Sequence, residues 1–209
     1  MTTRSDGSGQ LFLFGAGGHA KVILEILEES GVEVAGLFDD GSTGDRIWSY
    51  EIRSFPGQFS VESDVMIIAI GSNTSRRLKA DSLQVRYGLA IHPSVIISAR
   101  ARIGAGTVVM AGVTINSDSE IGQHCIVNTS ASIDHDCLVE DYAHVSPNAT
   151  LCGNVRVGEG SQVGAGSVVI PGVSIGSWAT VGAGSVVIRD VPDGATVVGN
   201  PASVLRASV

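Results

Sequence analysis

From Ile91 to Val187 every sixth residue is aliphatic, without a gap: Ile91, Ile97, Ile103, Val109 and so on to Ile175, Val181 and Val187, seventeen positions that are all Ile, Leu or Val. A period of six with one inward aliphatic is the mark of a parallel β-helix, in which each hexad supplies one short flat strand and one corner. Three hexads close a coil, so residues 18 positions apart stack about 4.8 Å from one another. Small residues recur four positions after the aliphatic, among them Cys125, Ala131, Cys137, Ala143, Ala149 and Ser161, as expected if they also point into a narrow prism.

Composition agrees with that architecture. Glycine fills 27 of 209 positions while aromatics make up only 5%, a balance that favours repeated tight turns over a helical bundle. The net charge of −8 and the absence of clustered Lys and Arg argue against a nucleic-acid surface. Cys125, Cys137 and Cys152 are odd in number and lack metal-knuckle spacing, so they read as reduced, packed residues in a cytoplasmic protein. No apolar stretch approaches the roughly 20 residues of a membrane span. Residues 1–10 are polar and read as a disordered tail.

The part before the hexads has a different grammar. Leu11 to Phe14 is a short apolar run, Gly15 to Gly18 a glycine turn, and His19 to Glu29 an amphipathic helix, which together make a βα opening. Strands are expected at Val32 to Phe38, ending at Asp39 and Asp40, and at Val65 to Ile70, ending at Gly71, Ser72 and Asn73. The resulting plan is a small Rossmann-like α/β half domain over residues 11–88, a β-helix over 89–192, and a C-terminal segment over 193–209. The glycine turn followed by Asp39 fits a loose dinucleotide fingerprint. Fewer than ninety residues precede the hexads, about half a full dinucleotide fold, so a single nucleotide fits better than NAD.

The hexads, together with Phe14-Gly15-Ala16-Gly17-Gly18-His19-Ala20-Lys21, Phe38-Asp39-Asp40, Ala69-Ile70-Gly71-Ser72-Asn73 with Arg76, Asp134-His135-Asp136, His144-Val145-Ser146 and Gly199-Asn200-Pro201-Ala202, resemble a known family. It is the hexapeptide-repeat sugar acetyltransferases of the sialic-acid O-acetyltransferase and bacillosamine-pathway N-acetyltransferase type. The resemblance implies a left-handed β-helix, acetyl-CoA as co-substrate, no metal, a nucleotide-sugar acceptor and a homotrimer. The activity it implies is N-acetylation of a nucleotide-linked 4-amino-4,6-dideoxy sugar by direct attack on the thioester, with O-acetylation of a sugar hydroxyl as the rival.

His135 is the leading catalytic candidate, because it lies third in its hexad at an outward corner between two carboxylates, and a histidine suits a base that takes a nucleophile's proton. Either Asp134 or Asp136 would orient it. Gly153, one coil above, is placed to offer its amide to a thioester oxygen as it becomes negative. The resemblance puts His144 in the site, contributing to acetyl-CoA or sugar binding, and Gly153 with it; acetyl-CoA is expected along the coils above, where Gly164, Ala165 and Gly182 lie at glycine corners that permit close approach to the backbone. The resemblance assigns Gly15, Gly17, Gly18, His19, Asp39, Asp40, Gly71 and Asn73 to the nucleotide sugar. His92 and His124 match no motif and are read as incidental. A zinc site built from His124, His135 and His144 lacks the arrangement of the β-helix carbonic anhydrases. A purely repetitive binding surface would carry Thr ladders, which this sequence lacks.

Overall fold

The computed structural model describes residues 9–41, 44–55 and 63–206. Most of the expected disordered tail lies outside them. The front domain runs β1 (Leu11–Phe14), α1 (Gly18–Glu29), β2 (Val34–Phe38), β3 (Arg46–Ile47), β4 (Tyr50–Arg53), β5 (Val65–Ile68), α2 (Asn73–Ser82) and β6 (Arg86–Tyr87). Its six strands lie in the order β3-β4-β2-β1-β5-β6, parallel except where β3 meets β4. The chain leaves β1 toward β2 on one side and later adds β5 on the other, so a crevice opens at the carboxyl end of β1, where such sheets bind ligands. Helix α1 buries Ala20, Ile23, Leu24, Ile26 and Leu27, the three-to-four spacing of one helical face, against this sheet.

The three strands expected here are present, with β2 beginning at Val34 and β5 ending at Ile68. Three more, β3, β4 and β6, are elements of two to four residues at or next to the sheet's edges, and their patterns are mostly polar. Within β4 only Ile52 is buried, with Tyr50 partly buried against the same core, which leaves too little periodicity to read.

From Ala90 the chain coils into a three-sided prism of two-residue strands. The first face stacks Ala90–Ile91, Val108–Val109, Ile126–Val127, His144–Val145, Gln162–Val163 and Thr180–Val181, each after the first paired in parallel with the one before it, 18 residues back. The second face carries Ser132–Ile133 and Thr150–Leu151, and the third Leu138–Val139 and Arg156–Val157. The periodic aliphatics fill the interior, and from Val109 to Val187 all of them are buried. The stacking continues past residue 192, where Thr196–Val198 pairs with Thr180–Val181 and Ser203–Arg206 folds back antiparallel on it.

The small inward residues do more than fit. Thr107 Oγ1 donates to the Gly122 carbonyl at 2.7 Å, Ser119 Oγ to Asp134 O at 2.6 Å, and Ser167 Oγ to Gly182 O at 2.9 Å. The Cys125 and Cys137 thiols reach Glu140 O at 3.1 Å and Cys152 O at 3.2 Å in the same way. Each side chain therefore satisfies a corner carbonyl 15 residues ahead, which removes the penalty of burying a hydroxyl or thiol without a partner. All three cysteines are free.

The front domain covers part of the first face. Outward-facing Ala90, Val108 and Ile126, stacked in one column, join the apolar cluster formed by β1, β2 and α1. His92 is not incidental to this contact: its Nε2 meets Glu29 Oε2 of α1 at 2.9 Å at the lower edge. The next residue up the column is His144, where the apolar cover ends.

Candidate active site

His135 sits at the corner between the second and third faces, its side chain 54% exposed. Its Nδ1 lies 2.7 Å from Asp136 Oδ2. In the neutral ring Nδ1–H donates to that carboxylate, which leaves Nε2 unprotonated and able to accept a proton. Asp134 plays a different part: its Oδ1 accepts the His135 amide N–H at 2.8 Å and Asn116 Nδ2 at 2.9 Å, which fixes the corner. Of the two carboxylates, Asp136 is therefore the one that holds the ring. The hydrogen bond to Asp136, followed by the charge of Asp134, raises the His135 pKa above its ordinary value, whereas the bonds from Asn116 and His135 lower that of Asp134.

Gly153 stacks one coil beyond His135, with the Asn154 amide donating to the His135 carbonyl at 3.0 Å. A Cβ on Gly153 would fall 2.7 Å from both Cε1 and Nε2 of the imidazole, so the ring lies directly against the glycine backbone. The Gly153 amide has no hydrogen-bond partner among the described residues, and the residue itself is buried beneath the His135 ring.

A histidine acting as general base works only when deprotonated, so with His135 in that role its raised pKa should put the acid limb of activity above the pH 6.5 of an ordinary histidine. Asp136→Asn removes the largest cause of the shift, and the limb should move to lower pH. An unmoved limb in a kcat/KM profile of that variant would assign the titration to another group.

A second cluster lies on the first face, where the two domains meet. His144 Nε2 is 3.0 Å from Asn128 Nδ2. Thr129 N–H donates to Asn128 Oδ1 at 2.8 Å, which fixes the amide so that Nδ2 donates and His144 carries its proton on Nδ1. Burial, then the Arg76 charge, then His19 lower the His144 pKa to about 4. Burial and Arg76 do the same to His19, on the first turn of α1, also to about 4. The Nε2 of His19 is buried without a partner among the described residues. His124, expected to be incidental, is instead buried in this joint, stacked on Tyr142 with ring centroids 5.2 Å apart and edge-on to Tyr87.

Around the crevice, Gly15 has φ +111°, and a Cβ there would lie 2.8 Å from the Ala69 carbonyl, so the turn packs directly on the end of β5. Gly17 and Gly18 face open space at the amino end of α1. Asp39 Oδ2 accepts the Ala16 amide and Oδ1 the Gly41 amide, both at 2.8 Å, which ties the glycine turn to the end of β2. Asp40 pairs with Lys79 at 2.7 Å, and the Lys79 ammonium sits 4.2 Å from the centre of the Phe14 ring. Lys79 carries no sequence signal, because its partners become neighbours only when α2 packs beside β1. Gly71 is exposed, and Asn73 is engaged with the β-helix through Nδ2, 2.9 Å from Gly160 O.

Gly164 and Gly182 stack at the corner after the first face: a Cβ on Gly164 would fall 2.5 Å from Val181 O and 2.6 Å from the Ala183 amide. Ala165 lies at the same corner, its carbonyl accepting from Gly184 at 2.8 Å. Within one chain His135 and Gly153 are together, His144, His19 and Arg76 are together, and the two groups occupy different sides of the prism. Among the described residues no group of three or more His, Cys, Asp or Glu side chains is arranged to hold a metal ion.

Two family models match: the PglD N-terminal domain over residues 10–83 and the bacterial transferase hexapeptide (six repeats) over 154–189. A structure of perosamine N-acetyltransferase from Caulobacter crescentus, a histidine-to-asparagine mutant in complex with CoA and GDP-perosamine, is 38% identical. It superposes with a TM-score of 0.89 over 95% of this chain and 98% of that one. The acetyltransferase domain of PglB from Neisseria gonorrhoeae FA1090, in complex with acetyl coenzyme A, is 37% identical with a TM-score of 0.88, covering 95% of this chain and all of that one. UDP-N-acetylbacillosamine N-acetyltransferase of Bacillus subtilis (strain 168) is 42% identical over 108 residues, 47% of this chain. The match spans about half the length of that curated relative. With its Rossmann-like front domain and left-handed β-helix, the chain belongs to the hexapeptide-repeat sugar acetyltransferases of the sialic-acid O-acetyltransferase and bacillosamine-pathway N-acetyltransferase type.

Proposed function

We propose that the chain transfers an acetyl group from acetyl-CoA to the amino group of a nucleotide-linked 4-amino-4,6-dideoxy sugar. The observation that carries this reading is the His135 corner, where Nδ1 is held by Asp136 at 2.7 Å and the ring lies against the Gly153 backbone, whose amide has no partner among the described residues. The sugar amine attacks the thioester carbonyl carbon, and Nε2 of His135 takes the proton that the nitrogen loses. The Gly153 amide stabilises the carbonyl oxygen as it becomes negative. Collapse of the tetrahedral species breaks the C–S bond, and the proton on His135 leaves with the CoA thiolate.

Gly164, Ala165 and Gly182 form the corner along which the coenzyme lies, with His144 lining the site. Gly15, Gly17, Gly18, His19, Asp39, Asp40, Gly71 and Asn73 surround the crevice that takes the nucleotide. The working unit is a homotrimer, in which a neighbouring copy brings its own first face to the His135 corner. Free thiols and the use of acetyl-CoA fit a cytoplasmic setting, and no helix among the described residues is long and apolar enough to cross a membrane. The perosamine and bacillosamine N-acetyltransferases among its relatives support amine over hydroxyl as the acceptor.

Incubation with acetyl-CoA and a panel of UDP-, dTDP- and GDP-linked 4-amino sugars, with sialic acid alongside, should release CoA thiol only with amino sugars. Release with sialic acid alone would replace the reading with O-acetylation. Light scattering should give three copies per particle, and an active monomer would remove the shared site.

A further inference from the structure

We propose that Arg76 is a positioning residue for the nucleotide-sugar site, joining the turn after β5 to two stacked corners of the β-helix and so fixing the crevice relative to His144. The inference rests on the reading above, in which the nucleotide sugar occupies that crevice. Arg76 is 1% exposed, the largest of the fully buried side chains. Its guanidinium donates five hydrogen bonds and accepts none, which is its full capacity. Nη1 reaches Ile70 O at 3.0 Å and Gly71 O at 3.1 Å, and Nη2 reaches Asn73 Oδ1 at 2.8 Å, all in the turn that forms one wall of the crevice. Nε reaches His124 O at 2.7 Å and Nη2 also reaches Tyr142 O at 2.8 Å.

His124 and Tyr142 are one coil apart, and Gly160, one coil further, accepts from Asn73. The joint therefore climbs three successive corners beside the column that holds His144. Lower down, the domains are held by the apolar patch of Ala90, Val108 and Ile126 and by the Glu29–His92 pair. At the upper end, Arg77 also meets Glu159 at 2.8 Å, but that pair is open to water and fixes little. Arg76 is the buried tie there. None of its five acceptors is a carboxylate, so the residue is not an ion pair whose purpose is charge balance. A joint needed only for stability is served equally well by apolar side chains, whereas a planar fork with five fixed donors specifies one relative placement.

Arg76→Lys keeps the charge but offers three donors from a single point, too few to span both domains. With whichever nucleotide sugar the wild type turns over, this variant should raise the sugar KM by about tenfold or more, with the acetyl-CoA KM within about twofold, the mark of lost sugar binding. Amide exchange should speed up in the turn from Ile70 to Asn73 and stay slow in the prism interior. An unchanged sugar KM, or equal rises in both KM values, would overturn the inference while leaving the proposed activity intact. Should Arg76→Lys not fold, wild-type exchange decides: adding that sugar should slow the Ile70–Asn73 turn and the Tyr142 corner together, and slowing of the turn alone overturns the coupling. A wild type that binds no nucleotide sugar overturns the functional reading and this inference with it.

Discussion

His135→Ala should lower kcat by about 10²- to 10⁴-fold, the usual contribution of a positioned general base. The fold should hardly register the change. His135 is an exposed corner residue, its ring rests on a glycine, and the prism core beneath is continuous without it. Surface substitutions of this kind usually alter stability by less than about 0.5 kcal/mol. Steady-state kinetics and a thermal melt on the same preparation make the comparison. A folded variant that keeps more than about a tenth of wild-type kcat would take the histidine out of the mechanism.

Gly153→Ala should be nearly as harmful to turnover and nearly as harmless to the fold. The added methyl would lie 2.7 Å from Nε2 and Cε1 of His135, closer than real Cβ contacts come. Those atoms are the far end of an exposed side chain, so the ring can swing into solvent and relieve the clash without disturbing the coils. The backbone at 153 is not in the left-handed region, so alanine adds no conformational strain there. What is lost is alignment, since the base leaves Asp136 and the attacking nitrogen. Misplacement of a reacting group by about 1 Å can cost about 10²-fold. Wild-type kcat in Gly153→Ala would mean that the ring position in the free enzyme is not the working one.

The solenoid is legible in the sequence because its geometry writes each inward residue into the chain at a fixed interval. The same ruler pairs His135 with Gly153, since residues one coil apart must stack. A second signal lies outside the core-facing period and is easily passed over. The outward position just before each aliphatic on the first face runs Ala90, Val108, Ile126 and then His144, an apolar strip that ends at a candidate site residue. That strip marks where the front domain docks. Arg76 and His124 are harder, because their meaning lies in contacts between residues 48 positions apart whose partners are backbone carbonyls. A carbonyl is present at every residue and leaves no trace in a sequence. The choice between Asp134 and Asp136 is likewise a matter of side-chain direction at one corner, which spacing does not encode.

The corner that holds Asp136 carries an evolutionary tension. Asp136 has φ 58°, and the equivalent corners at Gly106, Gly112, Gly160, Gly166, Gly172 and Gly184 hold the same left-handed conformation with glycine. An L-residue there is disfavoured by roughly 1 kcal/mol relative to glycine, less for aspartate than for most. Selection for heat resistance alone would therefore push position 136 toward glycine, the residue six of its sister corners already use. In the proposed mechanism, the need to hold the His135 ring opposes that drift. A laboratory lineage screened for thermal survival without an activity check should shed Asp136, and on that mechanism would gain stability while losing turnover.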